Sequence, residues 1–151
     1  MHFAVTMDAL TGNMWGDVSL PALYALYEKA PEYHSLVIQN VGRVRVADLG
    51  PRIGAEARLG EREVVINSTY FWSFDPVLLA GALVHEAKHI ADAHACLDAI
   101  REEDAYRAQA DALALLGASQ GQIGTAWSMG YYQRYTSYPN PLEECKERPH
   151  P

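Results

Sequence analysis

The segment from Asp75 to His89 limits what this chain can fold into more than any other. Val77, Leu78, Leu79, Ala82, Leu83 and Val84 form an almost unbroken apolar run that leads into His85-Glu86-Ala87-Lys88-His89. Asp75-Pro76 in front of it is a helix start, since a carboxylate accepts from the orphan N–H groups of the first turn and proline suits the first helical position. A helix that is apolar on all sides must be covered on all sides, so the rest of the chain has to pack around this one.

The end of that helix carries the chemistry. Residues four apart share a helix face, so His85 and His89 can present two imidazole nitrogens to one zinc ion roughly 2.0–2.1 Å away. Glu86 stands about 100° round the helix from His85, off the ligand face but within reach of a water beside the metal, which is where a general base is needed. Gly81 and Ala82 keep the preceding turn slim. A catalytic zinc site has three protein ligands and an open position. The candidates for the third are Asp92, His94, Asp98, Glu102 and Glu103. Asp92 shares the face of His85, but a straight helix cannot wrap it round the ion, so it is expected behind the ligands or in solvent. On an unbroken helix Glu102 would lie about 20 Å beyond His89. A tight helical hairpin near Ala95 and Cys96 instead sets Glu102 opposite His89 and Tyr106 opposite His85.

Elsewhere the pattern is mixed. Ser19 and Pro21 open a first helix through Leu20, Leu23, Tyr24, Leu26 and Tyr27, with Pro31 ending it. Leu36-Val37-Ile38 and then Val44 and Val46, alternating with Arg43 and Arg45, read as strands about a turn at Asn40-Val41-Gly42. Ala55–Leu59 and Glu63–Asn67 form a further pair about Gly60-Glu61, where glycine permits positive φ. An Ala-rich helix runs from about Ile100 to Leu116. A shorter stretch broken at Gly121 and Gly124 follows it. The expected class is α+β, a small mixed sheet of three or four strands with an N-terminal helix, a buried zinc-site helix and a following glutamate helix.

The chain has 151 residues, of which 49% are apolar, enough for one core without disulfides. A single domain is expected over residues 1–138, with a polar, proline-bearing tail over 139–151. The net charge of −7 opposes binding to nucleic acid. The N-terminal residues lack a basic segment followed by an apolar run, and no stretch is long enough to span a membrane, so the expected location is cytoplasmic. Cys96 and Cys145 have no C-x-x-C partner. Trp127, Tyr131, Tyr132, Tyr135 and Tyr138 offer phenols for an oxyanion, although Trp127 and Tyr131 also suit core packing. Cys145 and His150 can be pictured reaching back to the metal, against a simpler reading of the tail as solvated.

His85-Glu86-x-x-His89 followed by Glu102-x-x-Ala105 resembles the gluzincin branch of the zincin metallopeptidases over residues 63–116, and the order of elements resembles the compact minigluzincins. The resemblance implies a zinc peptidase acting on peptide or protein substrates. Glu102 would be the third ligand in preference to Glu103, and Ala105 would let the two helices approach. It also implies that Glu63–Asn67 is the sheet's edge strand, pairing with an extended substrate, with Asn67 near the cleft. The chain departs from the family at Tyr106, where an aspartate partner of the first histidine is usual, at the charged Lys88, and in the short interval from His89 to Glu102. The competing function is a non-catalytic zinc-binding or protein-interaction module. A deformylase would need an upstream cysteine ligand, and both cysteines are downstream.

Overall fold

The computed structural model describes residues 19–51, 54–69, 75–92 and 98–132. Pro21 and Pro31 each stand in the first turn of a helix, α1 (Leu20–Lys29) and α2 (Pro31–Asn40). Ser19 occupies the N-cap of α1 without a side-chain capping bond. The helix α2 corrects the expectation of a strand at Leu36-Val37-Ile38. Proline presets its first turn, Val37 is buried in the core, and such packing overrides the modest strand preference of β-branched residues.

The strands are β1 (Arg43–Ala47), β2 (Ala55–Arg58) and β3 (Glu63–Asn67). They lie in the order β1-β3-β2, with β1 parallel and β2 antiparallel to β3. The strand Glu63–Asn67 is therefore central and not at the edge, and all five of its residues are buried. Val44, Val64 and Ile66 on one face join the helical core. On the other face Arg43, Arg45 and Arg58 converge on the buried Glu63 at 3.1, 3.4 and 3.5 Å.

Between β2 and β3 a short 3-10 turn occupies Leu59–Glu61, and the positive φ falls on Arg62 (52°) instead of Gly60. That conformation disfavours a side chain, but this one is used. The Arg62 guanidinium donates to the carbonyls of Asn40 at 2.8 Å and Gln39 at 2.6 Å, satisfying the C-terminal end of α2, and its own carbonyl accepts from Gly42 N.

Asp75 caps α3 (Pro76–Ala91) as expected, accepting from Val77 N at 2.9 Å and Leu78 N at 3.1 Å. Every residue from Leu79 to Ala87 is buried. The covering comes from α1, α2, the sheet and α4 (Asp98–Leu115). Helix α4 ends at Gly117, whose φ of 83° lets Ala118 N reach back to the carbonyl of Leu113.

Ser119 and Gln122 then cap α5 (Gln120–Tyr132) reciprocally: Gln122 N donates to Ser119 Oγ at 3.1 Å, and Ser119 N donates to Gln122 Oε1 at 3.0 Å. The helix runs through Gly121 and Gly124, so these glycines do not break it. Among the described residues no helix is long and apolar enough to cross a membrane.

Candidate metal centre

The chemistry is set by how closely α4 can lie on α3. At Gly81 an added Cβ would stand 2.9 Å from Leu113 Cδ2 and 3.2 Å from Leu113 Cγ. Ala105 on α4 is fully buried. Small residues on both helices thus allow the approach, and the antiparallel register pairs position 81 with 113, 85 with 106, and 89 with 102. The turn near Ala95 and Cys96 lies outside the described residues, but the register that it was expected to produce is the one observed.

That register brings three ligand atoms together. Glu102 Oε1 lies 2.8 Å from His85 Nε2 and 3.1 Å from His89 Nε2, and the three groups form the one cluster of potential metal ligands among the described residues. Two ligands about 2.0–2.1 Å from a tetrahedral ion stand roughly 3.3 Å apart. The two separations from Glu102 reach that value after an outward shift of a few tenths of an ångström, and all three ligand atoms lie within 4.8 Å of one another. His85 is buried and Glu102 half-buried. The group fits an HExxH…E layout that could bind a metal ion.

The electrostatics agree with a cation site. Burial would raise the Glu102 pKa, but the hydrogen bonds and charges of the two histidines outweigh it and hold the carboxyl far below the usual carboxylate range. Burial would lower the His85 pKa, yet Glu102 and Glu86 together raise it. Glu102 is thus held in the anionic form that ligates a cation.

Behind the triad, Gln109 Oε1 lies 3.0 Å from His85 Nδ1. An amide oxygen accepts, so Nδ1 is the protonated nitrogen and Nε2 keeps its lone pair for a metal. Sequence reasoning missed Gln109. Its signal was the seven-residue spacing from Glu102, two turns along the same face of α4. It occupies the role expected of an aspartate at position 106, where Tyr106 instead packs its ring edge-on to His85, with centroids 4.3 Å apart. Gln109→Leu is expected to weaken zinc binding by about 10–100-fold with the fold retained, measured by competition with a chelating dye.

Glu86 is buried beside the triad. Burial pushes its pKa up, Glu102 and Glu56 add to the rise, and His85 and His89 pull it partly back. Burial also raises the Tyr106 phenol, with help from Glu102 and Glu86, to about 12, so it remains a donor.

The other candidates lie apart from the cluster. Glu103 is buried on the neighbouring side of α4, 3.6 Å from Arg107. Asp92 pairs with Lys88 at 3.1 Å, which also offsets the charge of that lysine. Asn67 is fully buried and ties loops together: its amide donates to Gly50 O at 2.7 Å and accepts from Leu49 N and Thr69 N at 3.3 and 3.0 Å. Trp127 is 45% exposed, with Arg107 over its ring at 5.3 Å, and not a core residue. His94, the side chains of Asp98, Tyr131 and Tyr132, and Tyr135, Tyr138, Cys145 and His150 lie outside the described residues.

Comparison of the chain with protein-family models, with curated proteins and with solved structures found no match.

Proposed function

We propose that this chain is a zinc-dependent metallopeptidase in which His85, His89 and Glu102 hold the ion and Glu86 is the general base. The observation that carries the reading is the convergence of His85 Nε2, His89 Nε2 and Glu102 Oε1 beside a buried glutamate that is not one of the three. Structural zinc prefers closed, cysteine-rich coordination and has no use for such a carboxylate.

When bound, zinc supplies Lewis-acid polarisation of a carbonyl and lowers the pKa of water to roughly 7. Glu86, with its pKa raised by burial, takes the proton from the attacking water and returns it to the leaving amine. Tyr106 keeps its phenolic proton and can donate to the developing oxyanion. For an extended substrate the supporting feature is β2, an edge strand among the described strands that packs against α3. Its Glu56 is near enough to Glu86 to act on its titration. A peptide added along β2 would obtain main-chain hydrogen bonds beside the metal group.

The test is elemental analysis joined to hydrolysis. Wild-type protein is expected to hold about one zinc per chain and His89→Ala none. The loaded protein is expected to cleave a quenched peptide library, to stop with a chelator and to recover with added zinc. Stoichiometric zinc without cleavage would replace this reading with a non-catalytic zinc-binding module.

A further inference from the structure

We infer that the charges of β2 select the substrate: the peptide that adds to this strand carries an acidic residue opposite Arg58 and a basic residue opposite Glu56; the inference rests on the peptidase reading. Side chains alternate along β2, and its two faces differ in kind. Ala55 and Ala57 pack against the helical core, so the inner face offers only methyl groups that are already in contact. Glu56 and Arg58 stand on the opposite face, which the register of the sheet makes the face of Arg43, Arg45 and Glu63. Their side chains are 38% and 43% exposed, so both can take a further partner.

The ion pairs on this face leave Arg58 free to respond. It meets Glu56 at 3.3 Å and Glu63 at 3.5 Å, while Glu63 also holds Arg43 at 3.1 Å and both Nε and Nη2 of Arg45 at 3.5 and 3.4 Å. The buried Glu63 therefore keeps its charge compensated when Arg58 turns towards a substrate carboxylate. A strand laid on the free side of β2 places the residues directly opposite about 5 Å away on the same face. Acidic opposite Arg58 and basic opposite Glu56 give four charges that alternate in sign round a square, so the existing pair is kept and two more are added. The reverse order sets like charges against each other, and charges on an edge strand also deter unrelated apolar strands. Antiparallel pairing is slightly the more stable per residue and brings the residue opposite Arg58 first, so the recognised motif reads acidic-x-basic from N- to C-terminus.

The test uses full-length, zinc-loaded Glu86→Gln protein and calorimetric titration with peptides of one length that carry Glu-x-Lys, Lys-x-Glu or Ser-x-Ser at each position in turn. At one position Glu-x-Lys is expected to bind roughly 3–10-fold more tightly than Ser-x-Ser, and Lys-x-Glu more weakly than either. The difference is expected to shrink in about 1 M salt, where the screening length falls to about 3 Å. Combining Glu56→Lys with Arg58→Glu is expected to reverse the order, with zinc stoichiometry and circular dichroism unchanged. Should that variant misfold, Glu56→Gln with Arg58→Gln is expected to abolish the preference instead. Equal binding of the two orders, a preference for Lys-x-Glu, a preference that survives these substitutions, or failure of every peptide to bind overturns the charge pairing. The peptidase reading is judged separately, by cleavage of the quenched library with wild-type protein.

Discussion

Glu86→Gln is expected to leave zinc bound and the fold intact while hydrolysis falls by about 10²–10⁴-fold, the usual worth of a positioned general base. Glutamine has nearly the shape of glutamate, so the buried site gains neither a cavity nor a clash. It also removes a negative charge from a place where burial already disfavours one, so the variant should be no less stable than the wild type. What is lost is the ability to accept a proton at neutral pH. Zinc content, thermal unfolding and initial rates on the quenched library measure the three effects separately. Unchanged turnover in a variant carrying full zinc would exclude Glu86 as the base.

Removing Glu102 should act on the metal itself. Its Oε1 touches both histidines, so in the proposed zinc site Glu102→Ala deletes the one anionic ligand and is expected to weaken zinc binding by more than the roughly 10–100-fold that follows loss of a partner behind a ligand. Glu103→Ala is the matched control. That carboxylate is buried next to Arg107 and away from the triad, so its loss should cost about 0.5–3 kcal/mol of stability and leave zinc affinity unchanged. Dye-competition titration reads the affinity and denaturant unfolding the stability. If Glu103→Ala loses the metal while Glu102→Ala keeps it, the assignment of the third ligand is wrong.

The register of α3 and α4 was legible in advance because two antiparallel helices share one rise per residue. A hairpin centred near residue 95 therefore pairs 89 with 102 and 85 with 106 whatever surrounds them. The turn itself carries no glycine or proline, so only the need for a third ligand pointed to it. Leu36–Ile38 was misread because its β-branched residues suit either state alone, and burial of Val37 in the core selected the helix. Gly60 looked like the turn residue, yet Arg62 took the positive φ, because its guanidinium and carbonyl find partners on α2 and at Gly42 that no local pattern announces.

By itself the sequence determined whatever depends on neighbours along the chain: the Asp75 cap, the apolar helix α3 with its buried middle, and two histidines on one face with a glutamate beside them. Capping, periodicity and spacing are short-range, and they act before any tertiary contact forms. Only the tertiary structure decided the rest. The placing of β3 between β1 and β2 moved Asn67 from an expected cleft edge to a buried loop anchor, since strand order depends on which distant segments meet. The grouping of Glu102 with the two histidines and the bond from Gln109 to His85 likewise required α4 to lie against Gly81, because side chains distant in sequence meet only when another element brings the partner atom within hydrogen-bonding distance.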